Sequence, residues 1–238
     1  MKAVLLLALV AAATPAQPAA APPDQFFDSN GVRIRYAEQG SGPAIVLMHG
    51  DTGTLERHFI ANGVFANLAK DHRAIAIDLR GHGKSVKPYE PAAYGEEMSR
   101  DVVRLLDHLK IQRAHVLGYS LGAFIAGRVA TLHPERLLGV IYVAGLPLRD
   151  LSFMEPFALD AVKELESGLP FKSLVMALQP PGSKPPSDDE IRKAVAPLVA
   201  ANDVKAFAAL WRGYRTLAVT DQQLAAVRVP SIVRARDR

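Results

Sequence analysis

The 238-residue chain contains no cysteine. That excludes a disulfide framework, a thiolate nucleophile and a lipid-attachment cysteine. Past the N-terminal segment no stretch approaches the ~20 apolar residues that a membrane-spanning helix needs. Net charge is also missing where it would matter. Residues 22–227 carry 23 basic and 23 acidic side chains, and the formal +4 comes from Lys2 and the last eleven residues. There Arg228, Arg234, Arg236 and Arg238 face only Asp237, so no basic face for nucleic acid is implied. No metal-ligand spacing, phosphate-binding glycine loop or internal repeat occurs, and no cofactor or metal is expected.

What remains is a chain with 49% hydrophobic residues, long enough for one sizeable α/β domain. Met1-Lys2, the apolar Ala3–Ala13 and the Ala/Pro-rich Thr14–Pro23 read as a secretory signal over residues 1–21, cleaved after Ala16 or a little later. A periplasmic or secreted protein is expected, with no stable membrane span after cleavage. Its oligomeric state is open.

Phe26–Asp28 and Val32–Ala37 flank Asn30-Gly31, a short hairpin signal. Ala44–Met48 is a continuous apolar run, as for a strand buried on both faces of a parallel sheet. Ala74–Ile77, His115–Leu117 and Leu138–Val143 repeat that character, and Met98, Val102, Leu105, Leu106 and Leu109 recur at helical spacing between them. Alternating strand and helix predicts a twisted, mostly parallel sheet flanked by helices. From 147 to 223 the strand rhythm stops. Helical patterns at Met154–Leu165, Asp188–Ala200 and Val204–Tyr214, broken by the proline-rich 179–186, predict a helical lid insertion. Ser187 or Asp188 would cap the second of these. The expected division is a first part of the core at 22–146, the lid at 147–223 and the remainder of the core at 224–238.

Gly118-Tyr119-Ser120-Leu121-Gly122 stands where a strand turns sharply into a helix. Glycines two residues either side of the serine fit a turn too tight for Cβ atoms, and such a turn lifts the hydroxyl clear of the backbone.

With His49-Gly50 after one strand, Asp78-Leu79-Arg80-Gly81-His82-Gly83-Lys84-Ser85 after the next, this elbow, and Val229–Val233 as the start of a late strand, the chain resembles the α/β-hydrolase fold superfamily over residues 26–233. The resemblance implies that Ser120 is a nucleophile. It also implies that the N–H groups of Leu121 and Asp51 form an oxyanion hole for a tetrahedral intermediate. A carboxylate aimed at that oxygen would oppose catalysis, so the Asp51 side chain is expected to point away. The implied reaction is transfer of an acyl group from a small ester or similar substrate to water. A serine rather than an aspartate at the elbow argues against the epoxide-hydrolase and haloalkane-dehalogenase branches.

The pattern breaks at the base. A serine needs a general base, usually a histidine oriented by a carboxylate, and the family order is serine, acid, histidine. The histidines are 49, 58, 72, 82, 108, 115 and 133, and none occupies the late position. Asp237 falls close to the position of the acid but one or two residues short of it. Arg234 and Arg236 stand where a buried strand should be apolar, so the final strand and closing helices are expected to be missing. A truncated or frame-shifted gene, a shortened non-catalytic relative that only binds, and an unusual base are the three readings.

Other candidates carry a plain reading beside the chemical one. His82 is a substitute base or a structural part of its turn, and His49 is a support of the oxyanion loop or a direct participant. His115 is simplest as a strand-end residue. Asp150 is an acid after an earlier strand or a loop aspartate beside Arg149. Phe207, Trp211 and Tyr214 line an acyl pocket or form the buried face of a lid helix. Asp78, Arg80 and Ser85 are expected to fix the turn after their strand.

Overall fold

The computed structural model describes residues 22–149, 151–177, 179–180 and 182–234. The signal segment, Asp150 and Asp237 lie outside the described residues.

Seven strands form one sheet: β1 Gln25–Ser29, β2 Val32–Gln39, β3 Ala44–Met48, β4 Arg73–Ile77, β5 Ala114–Tyr119, β6 Leu137–Val143 and β7 Ser231–Arg234. Their order is β1-β2-β4-β3-β5-β6-β7. β1 and β2 pair antiparallel, as do β2 and β4, and all other pairs are parallel. The expected hairpin is present, with Asn30 and Gly31 both at positive φ in its turn.

Every residue of β3 is buried. Ala44, Val46 and Met48 pack into one hydrophobic cluster, Ile45 and Leu47 into another. Alternation across a pleat covered on both sides produces this unbroken apolar run. Each large side chain so buried contributes about 1.5–3 kcal/mol.

The helices are α1 Val64–Leu68, α2 Glu96–His108, α3 Leu121–Leu132, α4 Leu151–Glu166, α5 Lys172–Ala177, α6 Asp188–Ala201, α7 Val204–Gly213 and α8 Asp221–Ala226. α2 buries Met98, Val102, Leu105 and Leu106, the stripe visible in its sequence. The last five helices follow β6 without a strand between them. Ser187 caps α6 in a capping box with Glu190, and Asp203 caps α7 through the N–H groups of Lys205 and Ala206. The short α5 and α8 were not expected.

The end of the sheet carries the late strand expected from Val229–Val233. β7 forms and pairs parallel with β6, but all four of its residues are exposed. Arg234 is among the exposed residues of this strand.

Strand register sets the site. Met48 pairs with Ile77 and with Gly118, and Gly118 pairs with Tyr142. The carboxyl ends of β3, β4, β5 and β6 thus lie along one edge. From β3 the chain moves to one side for β4, then to the other for β5. This reversal opens a crevice beyond β3 and β5, the usual ligand position in open α/β sheets.

Candidate active site

β5 passes into α3 through Ser120, whose backbone sits at φ 53° and ψ −111°. A non-glycine residue there stores about 1–3 kcal/mol of strain. The turn is held by Ser120 N–H donating to the Val143 carbonyl at 2.9 Å and by Ala123 N–H donating to the Ser120 carbonyl at 2.8 Å. Both flanking glycines are obligatory. A Cβ on Gly118 would lie 2.1 Å from the Gly122 carbonyl oxygen, and one on Gly122 would lie 2.3 Å from that of Met48. Among the described residues nothing hydrogen-bonds Ser120 Oγ.

The loop after β3 lies against this serine, since a Cβ on Gly50 would come within 3.1 Å of Ser120 Cβ. Leu121 opens α3, so its N–H is one of the donors that a helix start leaves free. The Asp51 N–H has no partner among the described residues. The Leu121 N–H thus adjoins the serine, and the Asp51 N–H belongs to the loop whose Gly50 packs against it. The Asp51 carboxylate is turned toward His82, with Oδ1 3.6 Å from His82 Nε2.

Three histidines surround the loop. Leu79 N–H donates to His49 Nε2 at 3.0 Å, which leaves the proton on Nδ1 for the Gly50 carbonyl at 2.8 Å. Burial holds the His49 pKa well below the usual histidine range, with His82 adding to the effect. His58 Nδ1 accepts the Gly50 N–H at 3.1 Å. Burial, with Arg57 and His82 nearby, lowers its pKa as well. His82 Nδ1 lies 3.1 Å from the Arg80 carbonyl, and its Nε2 faces Asp51. His49 is thereby a support of the loop, with both nitrogens engaged.

The turn after β4 is fixed by the residues singled out for it. Asp78 accepts from Leu55 N–H, Lys84 N–H and Arg35 Nη1 at 2.9, 2.9 and 3.0 Å. Ser85 Oγ donates to the Asp78 carbonyl at 2.6 Å. Arg80 forms a buried two-pronged pair with Asp101, at 2.7 and 2.5 Å.

Phe207 and Trp211 on α7 and Phe171 before α5 approach Asp51 from the helices after β6. With Asp51, Ala161, Glu164, Leu165 and Ser173 they line a cavity of about 10 Å³. Phe207 packs edge-on against His82, ring centres 5.0 Å apart. Tyr214 lies elsewhere, tilted against Trp211 at 5.7 Å.

The remaining candidates fall away from this cluster. His115 meets His72, His108 stacks on Phe27 and His133 closes α3 beside Glu135. Arg149 pairs with Asp221. Sequence reasoning missed His58 and Glu164 as site residues. Neither belongs to a motif, and only folding brings them to the crevice.

The family model described as "alpha/beta hydrolase fold" matches residues 43–171. The chain belongs to the α/β-hydrolase fold family.

Among relatives, this α/β-hydrolase is 36% identical over 127 residues to the dihydrolipoyllysine-residue acetyltransferase component of the acetoin cleaving system of Cupriavidus necator. That match covers 53% of the chain and 33% of the relative. It is 29% identical over 189 residues to epoxide hydrolase A of Mycobacterium tuberculosis, covering 69% and 58%. The chain thus spans only a third to somewhat over half of these curated relatives. Among solved structures, Est816, titled an N-acyl homoserine lactone degrading enzyme, superposes with a TM-score of 0.68 at 27% identity, covering 88% of this chain and 80% of the other. MGS-M2, an α/β hydrolase from a deep-sea metagenome library, reaches 0.70 at 18% identity over 88% and 78%, which speaks for the fold alone.

Proposed function

We propose that the protein is a serine hydrolase acting on a small ester or related acyl substrate, exported to the periplasm or secreted. The observation that carries this reading is the strained Ser120 elbow, with the Leu121 N–H at its helix start and the Gly50-Asp51 loop packed against it. In this account Ser120 Oγ attacks the acyl carbon, the two N–H groups hold the developing oxyanion, and water releases the acyl group. Losing one such donor typically costs about 3–4 kcal/mol of transition-state stabilisation. One structural neighbour is described as an N-acyl homoserine lactone degrading enzyme, which supports a substrate class that includes lactones. The epoxide-hydrolase relatives support hydrolysis, and the serine at the elbow favours the acyl branch. The helices after β6 act as the lid.

The base is the open part. His49 and His58 each commit a nitrogen to the oxyanion loop, and His82 turns its free nitrogen to Asp51. Asp237, the acid candidate, lies outside the described residues. This arrangement favours one second reading, a binding protein without turnover. Hydrolysis of p-nitrophenyl acetate separates the two. A rate lost by about 10³-fold or more in Ser120→Ala supports the hydrolase, whereas equal rates in both proteins sink it.

A further inference from the structure

Gly50 is under two opposed demands. Its place beside the elbow excludes a side chain, because a Cβ there would lie 2.9 Å from Tyr119 Cδ1 and 3.1 Å from Ser120 Cβ. Yet glycine is the residue whose φ and ψ are least confined. Gly50 also sets the direction of the next N–H, that of Asp51, which the proposed reaction uses in the oxyanion hole. Other groups must therefore hold it.

On one side Gly50 is held by its carbonyl. That oxygen accepts the Gly53 N–H at 3.1 Å and lies 2.8 Å from His49 Nδ1. No cis peptide bond occurs among the described residues, and in a planar trans peptide the Asp51 N–H points opposite to that carbonyl. On the other side the Gly50 N–H donates to His58 Nδ1 at 3.1 Å. With both flanking peptide planes held, φ and ψ of Gly50 are fixed.

His58 is itself well placed for this contact. It lies in the short helical turn Glu56–Ile60. Its N–H donates to the Thr54 carbonyl at 3.1 Å, and its carbonyl accepts from Asn62 Nδ2 at 2.7 Å. The ring stands edge-on to Tyr119, centres 5.0 Å apart. Gly53 makes room for it, since a Cβ there would lie 2.4 Å from His58 Cε1 and 2.6 Å from Nδ1. A backbone N–H can only donate, so the bond requires Nδ1 without a proton.

We propose that His58 is a positioning residue for the oxyanion loop, holding Gly50 so that the Asp51 N–H faces the reacting carbonyl only while Nδ1 is unprotonated. The inference rests on the hydrolase reading. Around the ring stand Arg57 on its own turn, His49 at the end of β3, His82 in the turn after β4 and Tyr119 at the end of β5. Glu56 on the same turn is engaged by Arg35, and Asp51 is turned to His82. Among the described residues no carboxylate pairs with His58. Burial, then Arg57 and His82, lower its pKa below the ordinary 6.5, so the neutral acceptor prevails at neutral pH. In acid, protonation sets one donor against another and the hold on Gly50 is lost.

Hydrolysis of p-nitrophenyl acetate by the full chain between pH 5 and 8 tests this. His58→Leu should lose about tenfold or more in kcat at pH 7.5 with KM within about twofold, the mark of a contact that matters in the transition state. His58→Asn offers an amide oxygen near the place of Nδ1 and takes up no proton in this range. It should recover most of that kcat and keep a larger fraction of it at pH 5 than the parent does. If His58→Leu does not fold, the comparison of His58→Asn with the parent decides alone. Equal kcat in the parent and a folded His58→Leu, or an acid limb in His58→Asn that matches the parent's, would overturn the positioning role and leave the hydrolase reading standing. A folded parent with no Ser120-dependent hydrolysis at any pH would overturn the hydrolase reading, and this role with it.

Discussion

Leu79 donates its backbone N–H to His49 Nε2 at 3.0 Å, joining the turn after β4 to the loop after β3. Because the other nitrogen donates to Gly50, the ring is locked neutral, and burial disfavours its charged form. The folded-state pKa lies below the ordinary 6.5. As pH falls below that value the unfolded chain takes a proton that the folded chain refuses, so stability drops, by up to about 1.4 kcal/mol per pH unit for this one group. His58 shifts in the same direction and adds to the slope. Urea midpoints at pH 7.5, 6.0 and 5.0 should show the decline. His49→Gln should be less stable at pH 7.5 yet lose stability less steeply in acid, and identical slopes would refute the assignment.

The Arg80–Asp101 pair is almost fully buried, and Ser29 Oγ also donates to Asp101 at 2.5 Å. Removing one member leaves the other charge uncompensated. Arg80→Met should cost about 3–5 kcal/mol, while Arg80→Met with Asp101→Leu should recover part of the loss. Chemical denaturation of the three proteins reads the difference directly.

Two glycines provide a contrast. At Gly31 a Cβ meets nothing within 4 Å, and only the positive φ of 81° resists substitution. Alanine there should cost about 1–2 kcal/mol. At Gly118 the obstacle is the Gly122 carbonyl at 2.1 Å, which cannot retreat without opening the elbow. Gly118→Ala should lose more than about 4 kcal/mol or fail to fold, as thermal melts and soluble yield would show.

How much of this was legible beforehand follows the physics of each element. β3 could be read because burial on both faces enforces an unbroken apolar run. α6 could be read because Ser187 and Glu190 make its cap local in sequence. The elbow was legible for a related reason, since Gly118 answers a clash with the Gly122 carbonyl only four residues on. α5 and α8, at six residues each, are too short to display a period. β7 was legible as the start of a late strand, because Val229-Pro230 leads into the apolar Ile232-Val233, and it forms over Ser231–Arg234. His58 and Glu164 reach the site only through tertiary packing, and no spacing announces them. The inward turn of Asp51 to His82 belongs to the same class.

Whether the elbow holds Ser120 ready as a nucleophile can be read chemically. Incubation of the folded protein with a fluorophosphonate, followed by peptide mass spectrometry, tests it most directly. The account predicts one adduct, on the peptide carrying Ser120, absent in a folded Ser120→Ala variant. A well-folded sample that takes up no reagent, or a variant that labels as the parent does, would contradict it.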